Sequence, residues 1–120
     1  MNEQRLAVEV LATTPGEARL SMRGDVDIAA DEALGAAYVA AAQTGASRVV
    51  LDFANVDYIN STGIALIVRL LAEARRDHRE VIAEGLSEHY RDIFRITRLS
   101  DYLTIADPQP ATTVPEEIAR

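Results

Sequence analysis

One stretch of this chain changes its hydrophobic period partway along, and that change constrains the fold more than any other feature. From Val49 the residues run Val-Val-Leu-Asp-Phe, a short β-branched apolar run that predicts a strand. Further on, Ile64, Ile67, Val68 and Leu71 repeat at the i, i+3, i+4, i+7 spacing of a helix. Between them lies Asn60-Ser61-Thr62-Gly63, where the helix is expected to start. Small polar side chains at such a junction accept hydrogen bonds from first-turn amides that lack partners inside the helix. Two readings are open. Asn60 or Ser61 caps the helix and does nothing else, or a hydroxyl sits at the positive end of the helix dipole, where a phosphate is tolerated.

The flanking chain fits around this strand–helix unit. Residues 6–11 predict a strand, Thr13-Thr14-Pro15-Gly16 a turn, and residues 18–23 a returning strand, making a hairpin. In the second strand Ala18, Leu20 and Met22 alternate with Arg19, Ser21 and Arg23. Gly24-Asp25-Val26-Asp27 reads as a loop, with Asp27 near a helix start. Residues 29–43 predict an alanine-rich helix whose buried stripe is Leu34, Tyr38 and Ala41 or Ala42, ended by Gly45. Asp57 is expected in a turn before the central helix. That helix is expected from about Thr62 to Arg76. Its buried face would hold Ile64, Ile67, Val68, Leu71 and Ala74, with Ala65, Arg69, Ala72 and Arg76 exposed. Ser61 extrapolates to the exposed side. Arg69 and Arg76 are read as a solvated face, with Glu73 as an ion-pair partner.

Asp77-His78-Arg79-Glu80 predicts a polar turn, and Val81 to Ala83 a short strand. Ser87 is placed as the cap of a helix through about Arg98, with Ile93, Phe94 and Thr97 buried. Leu99 to Leu103 reads as a turn, and Thr104 to Ala106 as a last short strand. Asp107-Pro108-Gln109-Pro110 breaks the pattern. Residues 111–120 are expected to be loose, or a single helical turn at Pro115-Glu116-Glu117.

Composition narrows the function classes. The 120 residues suffice for one domain with one core. The net charge is −7, and all 12 basic residues are arginine, so the basic footprint that nucleic acid needs is missing. With no cysteine there is no disulfide, zinc thiolate site or cysteine nucleophile. No signal peptide and no apolar run of about 18 residues is found, so no membrane contact and a cytoplasmic setting are expected. His78 and His89 sit in polar contexts at no metal-ligand spacing, no phosphate-binding glycine loop exists, and Ser61 lacks a nucleophile elbow. No catalytic residue, metal or cofactor is expected, and the chain is expected to be a monomer.

The words Leu51-Asp52-Phe53 and Val56-Asp57-Tyr58-Ile59-Asn60-Ser61-Thr62-Gly63-Ile64 resemble the STAS domain of anti-anti-sigma factors. Gly24-Asp25-Val26-Asp27 is similar to the word that closes the second strand in that family, with Asp25 where Glu is usual. The run from Gly85-Leu86-Ser87 to Asp101-Tyr102-Leu103-Thr104-Ile105 resembles its third-helix end, although the glycine often found near Arg98 is absent. The resemblance spans about residues 6–107. It implies an α/β fold, a single STAS-like domain over residues 1–107, with residues 108–120 as a C-terminal tail. The sheet would be mixed and four- to five-stranded, with an N-terminal hairpin and helices mainly on one face.

The same resemblance implies an anti-sigma factor antagonist. Its partner would be an anti-sigma factor of GHKL-like serine-kinase type. Ser61 would be the phosphorylated residue, with a separate serine phosphatase to reset it. Asp25, Asp27, Asn60, Ser61, Thr62, Gly63, Ala65 and Arg69 would form the partner-binding surface. Asn60 departs from the usual Asp before the serine, keeping size and an acceptor oxygen but losing charge. The alternative is a non-enzymatic STAS scaffold subunit of a stress-signalling or lipid-transport complex that is never phosphorylated.

Overall fold

The computed structural model describes residues 5–106, so the expectations for the tail beyond Ala106 lie outside the described residues. Strands β1 (Ala7–Thr14) and β2 (Glu17–Val26) form the hairpin, closed by Pro15 and Gly16. Helix α1 (Asp31–Gln43) follows a 3-10 turn at Ile28–Ala30. Then come β3 (Arg48–Ile59), α2 (Ser61–Arg76), β4 (Glu80–Glu84), α3 (Glu88–Ile96), a second 3-10 turn (Leu99–Asp101) and β5 (Thr104–Ile105). The five strands form one sheet in the order β1-β2-β3-β4-β5. β1 is antiparallel to β2, and the other neighbours are parallel.

Strand alternation gives the sheet two chemically different faces. On one face Ala18 and Leu20 of β2 oppose Val49 and Leu51 of β3, which in turn oppose Val81 and Ala83 of β4, and Met22 continues that side of β2. All of these are buried in a single core with residues of the three helices. The opposite face carries ion pairs: Arg19 bridges Asp52 (3.2 Å) and Glu84 (2.8 Å), and Arg48 reaches Glu80 (3.2 Å) and Glu17 (3.8 Å). The helices therefore pack on one face, as the resemblance implies.

Two strands run further than their composition suggests. β2 continues through Gly24, Asp25 and Val26, so three residues of the expected loop are strand. β3 continues through Asp57 to Ile59, so Asp57 lies in a strand and not in a turn. Each extension is held by the other: Arg23 to Val26 pair with Asn55 to Ile59. Two register shifts leave extra residues on β3, which breaks the alternation a reader of the sequence would look for.

The buried side of α2 differs from the expected one. Gly63, Leu66, Ile67, Leu70, Leu71 and Ala74 face the core, Ile64 is half-buried and Val68 is exposed. The face is turned by roughly 70° at about 100° per residue. The sequence holds two overlapping apolar stripes, and contact of Gly63 with β2 selects between them. The expected exposure of Ala65, Arg69, Ala72 and Arg76 is observed. In α1 the buried set is Leu34, Ala37, Tyr38 and Ala41. Helix α3 ends at Ile96, two residues short of the expected Arg98. Its Phe94 is fully buried, edge-on to Phe53 with centroids 5.8 Å apart. Thr97, expected inside, is exposed and turns its hydroxyl back to the Ile93 carbonyl at 2.7 Å, which caps the helix end.

Candidate functional site

The strand β3 enters α2 without a loop. Asn60 is the cap: its Oδ1 accepts from the Gly63 amide at 2.8 Å, while its carbonyl accepts from the Ile64 amide at 2.9 Å. Of the two candidate caps the helix uses Asn60, and Ser61 is its first residue. Such a cap contributes about 1 kcal/mol. Among the described residues, neither the Ser61 nor the Thr62 hydroxyl is engaged, and both side chains are exposed. The first-turn amides beside Ser61 carry the positive end of a helix of 16 residues.

The end of β2 is fastened to this junction through backbone. The Asn60 amide donates to the Val26 carbonyl at 3.2 Å. Gly63 lies so close that a Cβ there would stand 1.9 Å from the Val26 oxygen. Asp25 is opposite Tyr58 in the β2–β3 register, and Val26 is opposite Ile59. Asp27 follows at once, its Oδ1 accepting from the Ala29 amide at 3.0 Å to start the 3-10 turn. The structure thus brings Asp25, Asp27, Asn60, Ser61, Thr62 and Gly63 to one place. Ala65 and Arg69 continue from Ser61 along α2, one and two turns further. Arg69 does not pair with Glu73. It pairs with Asp31 in the first turn of α1, so it ties the two helices together beside the site.

Some supporting residues were not singled out in the sequence. The Tyr90 hydroxyl of α3 accepts from the Ile59 amide at 2.9 Å, immediately before the cap. Tyr38, read as part of an apolar stripe, also donates its hydroxyl to Asp77 at 2.7 Å. Burial, and then that bond to Asp77, raise the Tyr38 pKa above the usual tyrosine value. Arg79 plugs the far end of the sheet, with Nε on the Ala46 carbonyl at 2.8 Å and a guanidinium nitrogen 3.3 Å from Asp77. A tyrosine hydroxyl is reported by no local periodicity, because its partner lies dozens of residues away. Among the described residues, no helix is long and apolar enough to cross a membrane.

The family model described as "Mlab, STAS domain" matches residues 10–105. The chain belongs to the STAS family. Two curated relatives that it matches bear the name of anti-sigma factor antagonists. An anti-sigma-B factor antagonist of Staphylococcus epidermidis is 30% identical over 82 residues, covering 68% of this chain and 76% of that protein. BtrV of Bordetella bronchiseptica, provisionally named an anti-sigma factor antagonist, is 30% identical over 90 residues, covering 75% and 78%. The solved structure of the anti-sigma factor antagonist SpoIIAA in its unphosphorylated form superimposes with a TM-score of 0.67 at 18% identity, covering 86% of this chain and 90% of that one. At that identity the match speaks for the STAS fold, and the antagonist family rests on the sequence relatives.

Proposed function

We propose that this STAS chain is a non-enzymatic, cytoplasmic partner switch. Unphosphorylated, it docks a cognate anti-sigma factor through the surface around Ser61 and so frees the sigma factor. The anti-sigma factor is an ATP-dependent serine kinase. Its transfer of the γ-phosphoryl group breaks the bond to ADP, forms one to Ser61 Oγ, and passes the hydroxyl proton to a base on the kinase. A serine phosphatase reverses the change.

The observation that carries this reading is the Ser61 hydroxyl: exposed, unengaged, and on the first residue of a helix whose cap is supplied by Asn60. Because the cap is a different residue, Ser61 can be modified without losing it. Phosphate brings about −1.5 to −2 charge at neutral pH. The helix N-terminus tolerates that charge, so the fold persists while the surface changes. Losing one close interface contact costs about 2 kcal/mol, over tenfold in affinity.

Co-purification from the native host tests it, with wild type, Ser61→Ala and Ser61→Asp as baits. The expected result is an ATP-binding, kinase-like protein with the first two baits and not the third. A second reading, an unphosphorylated scaffold subunit, is favoured by neutral Asn60 where an acid is usual. Recovery of one large assembly by all three baits would establish the scaffold and end the switch.

A further inference from the structure

The second half of α2 and the turn after α3 enclose a groove of about 360 Å³. Its floor is Leu71 and Leu99, both buried. Ala72, Val68 and Tyr102 line its sides, and the last two are 45% and 55% exposed. Two cations frame the opening, Arg75 and Arg98. The Arg75 guanidinium lies 5.4 Å from the centre of the Tyr102 ring. Among the described residues it meets no carboxylate. Arg98 bonds Asp101 through Nε at 2.9 Å, which leaves its other guanidinium nitrogens available.

Arg98 also has a backbone φ of +68°, in the left-handed region that favours glycine. Glycine would hold this turn with less strain. A side chain kept at such a position points to a use for that side chain.

The groove is continuous with the Ser61 surface. Ser61, Ala65, Val68, Ala72 and Arg75 step along α2 at alternating four- and three-residue intervals and are all exposed. This stripe is roughly 21 Å long at about 1.5 Å per residue. Its ends carry opposite charge. Asp25 and Asp27 stand at the Ser61 end, and Arg75, Arg76 and Arg98 at the other. In a chain of net charge −7, the groove is a basic end on an acidic molecule.

We infer that the groove receives an apolar side chain flanked by carboxylates, supplied by the same anti-sigma factor that meets Ser61. This rests on the antagonist reading. The apolar slot provides an anchor, and the opposed charges at the two ends of the stripe fix the direction in which the partner lies. Its basic part faces Asp25 and Asp27, and its acidic part covers the groove.

Two measurements test the inference. In the first, the full chain is titrated by NMR with 4-phenylbutyrate and with 4-phenylbutylamine, minimal mimics of an apolar side chain beside a charge. The butyrate is expected to shift the amides of Val68, Ala72 and Leu99 and to bind at least fivefold tighter than the amine. Arg75→Glu combined with Arg98→Glu reverses that order. Equal binding, or shifts elsewhere, overturns the groove chemistry. In the second, Ala72→Glu is compared with wild type for affinity to the purified kinase-like partner, with melting temperatures as the check on folding. At least a tenfold loss is expected at an unchanged melting temperature. Arg98→Gly is expected to melt higher yet bind more weakly. If Ala72→Glu binds as wild type does while Ser61→Asp does not, the groove inference falls and the antagonist reading stands. If wild type binds no such partner, the antagonist reading falls and the inferred occupant of the groove falls with it.

Discussion

Replacing the α hydrogen of Gly63 by a methyl would set a carbon 1.9 Å from the Val26 carbonyl oxygen. The two nearest atoms, the Val26 oxygen and its carbonyl carbon, are backbone and cannot swing aside as a flexible side chain would. Gly63→Ala is therefore expected to cost about 3 kcal/mol, at or above the usual upper range for overpacking. Urea unfolding measures it, and a loss below about 1 kcal/mol would mean that α2 shifts without strain. The neighbouring Asn60 makes the opposite prediction. An aspartate there would accept the same Gly63 amide bond and add a charge at the positive end of the dipole. Asn60→Asp is expected to stabilise the chain by about 0.3–1 kcal/mol. The same variant bears on the switch. If the acid matters to the kinase, Asn60→Asp is phosphorylated faster at Ser61 in vitro, and an unchanged rate removes Asn60 from recognition.

Among elements, the join between β3 and α2 is supported from outside by α3. Tyr90→Phe would leave the Ile59 amide without its partner while keeping the ring in place. The expected loss is about 1–2 kcal/mol, with faster hydrogen exchange at Ile59. Exchange that is unchanged there would show that water replaces the hydroxyl. At this scale the sequence was informative where periodicity was clean. The alternation in β2, the strand–helix switch at Asn60 and the Ser87 cap all appear as expected, the last with its Oγ accepting from the Tyr90 amide at 3.2 Å. It misled where pairing partners are remote. Asp57 reads as part of a turn, because it and the nearby Ala54 and Asn55 are poor strand formers. Hydrogen bonds from β2, some 30 residues earlier, hold them extended. The rotation of α2 was hidden for a similar reason. Val68 and Leu66 are both apolar, and nothing local to the helix records that Gly63 must face Val26. Of the candidate site, the cluster at the junction was legible from the motif, whereas the Arg69–Asp31 pair and the groove depend on packing between elements.

For the molecule as a whole, the Tyr38 phenol makes stability depend on alkaline pH. Its pKa is raised in the folded state, first by burial and then by Asp77. A raised pKa means that folding favours the protonated form. Its contribution is whole below the unfolded tyrosine value of about 10 and is lost as pH rises through the folded value. Wild type is therefore expected to lose more stability between pH 8 and 10.5 than Tyr38→Phe does. Urea melts at the two pH values compare them, and equal losses would remove Tyr38 as the cause. The backbone contact at Gly63 has a wider consequence. It fixes the spacing between the acidic end of β2 and the hydroxyl end of α2 without using any side chain of either. Geometry is thereby insulated from sequence at Asp25, Ser61 and Thr62, whereas Asp27 also caps the 3-10 turn. If the proposed docking surface is right, duplicated copies of such a domain can diverge at those three positions and acquire separate partners, each inheriting the same frame.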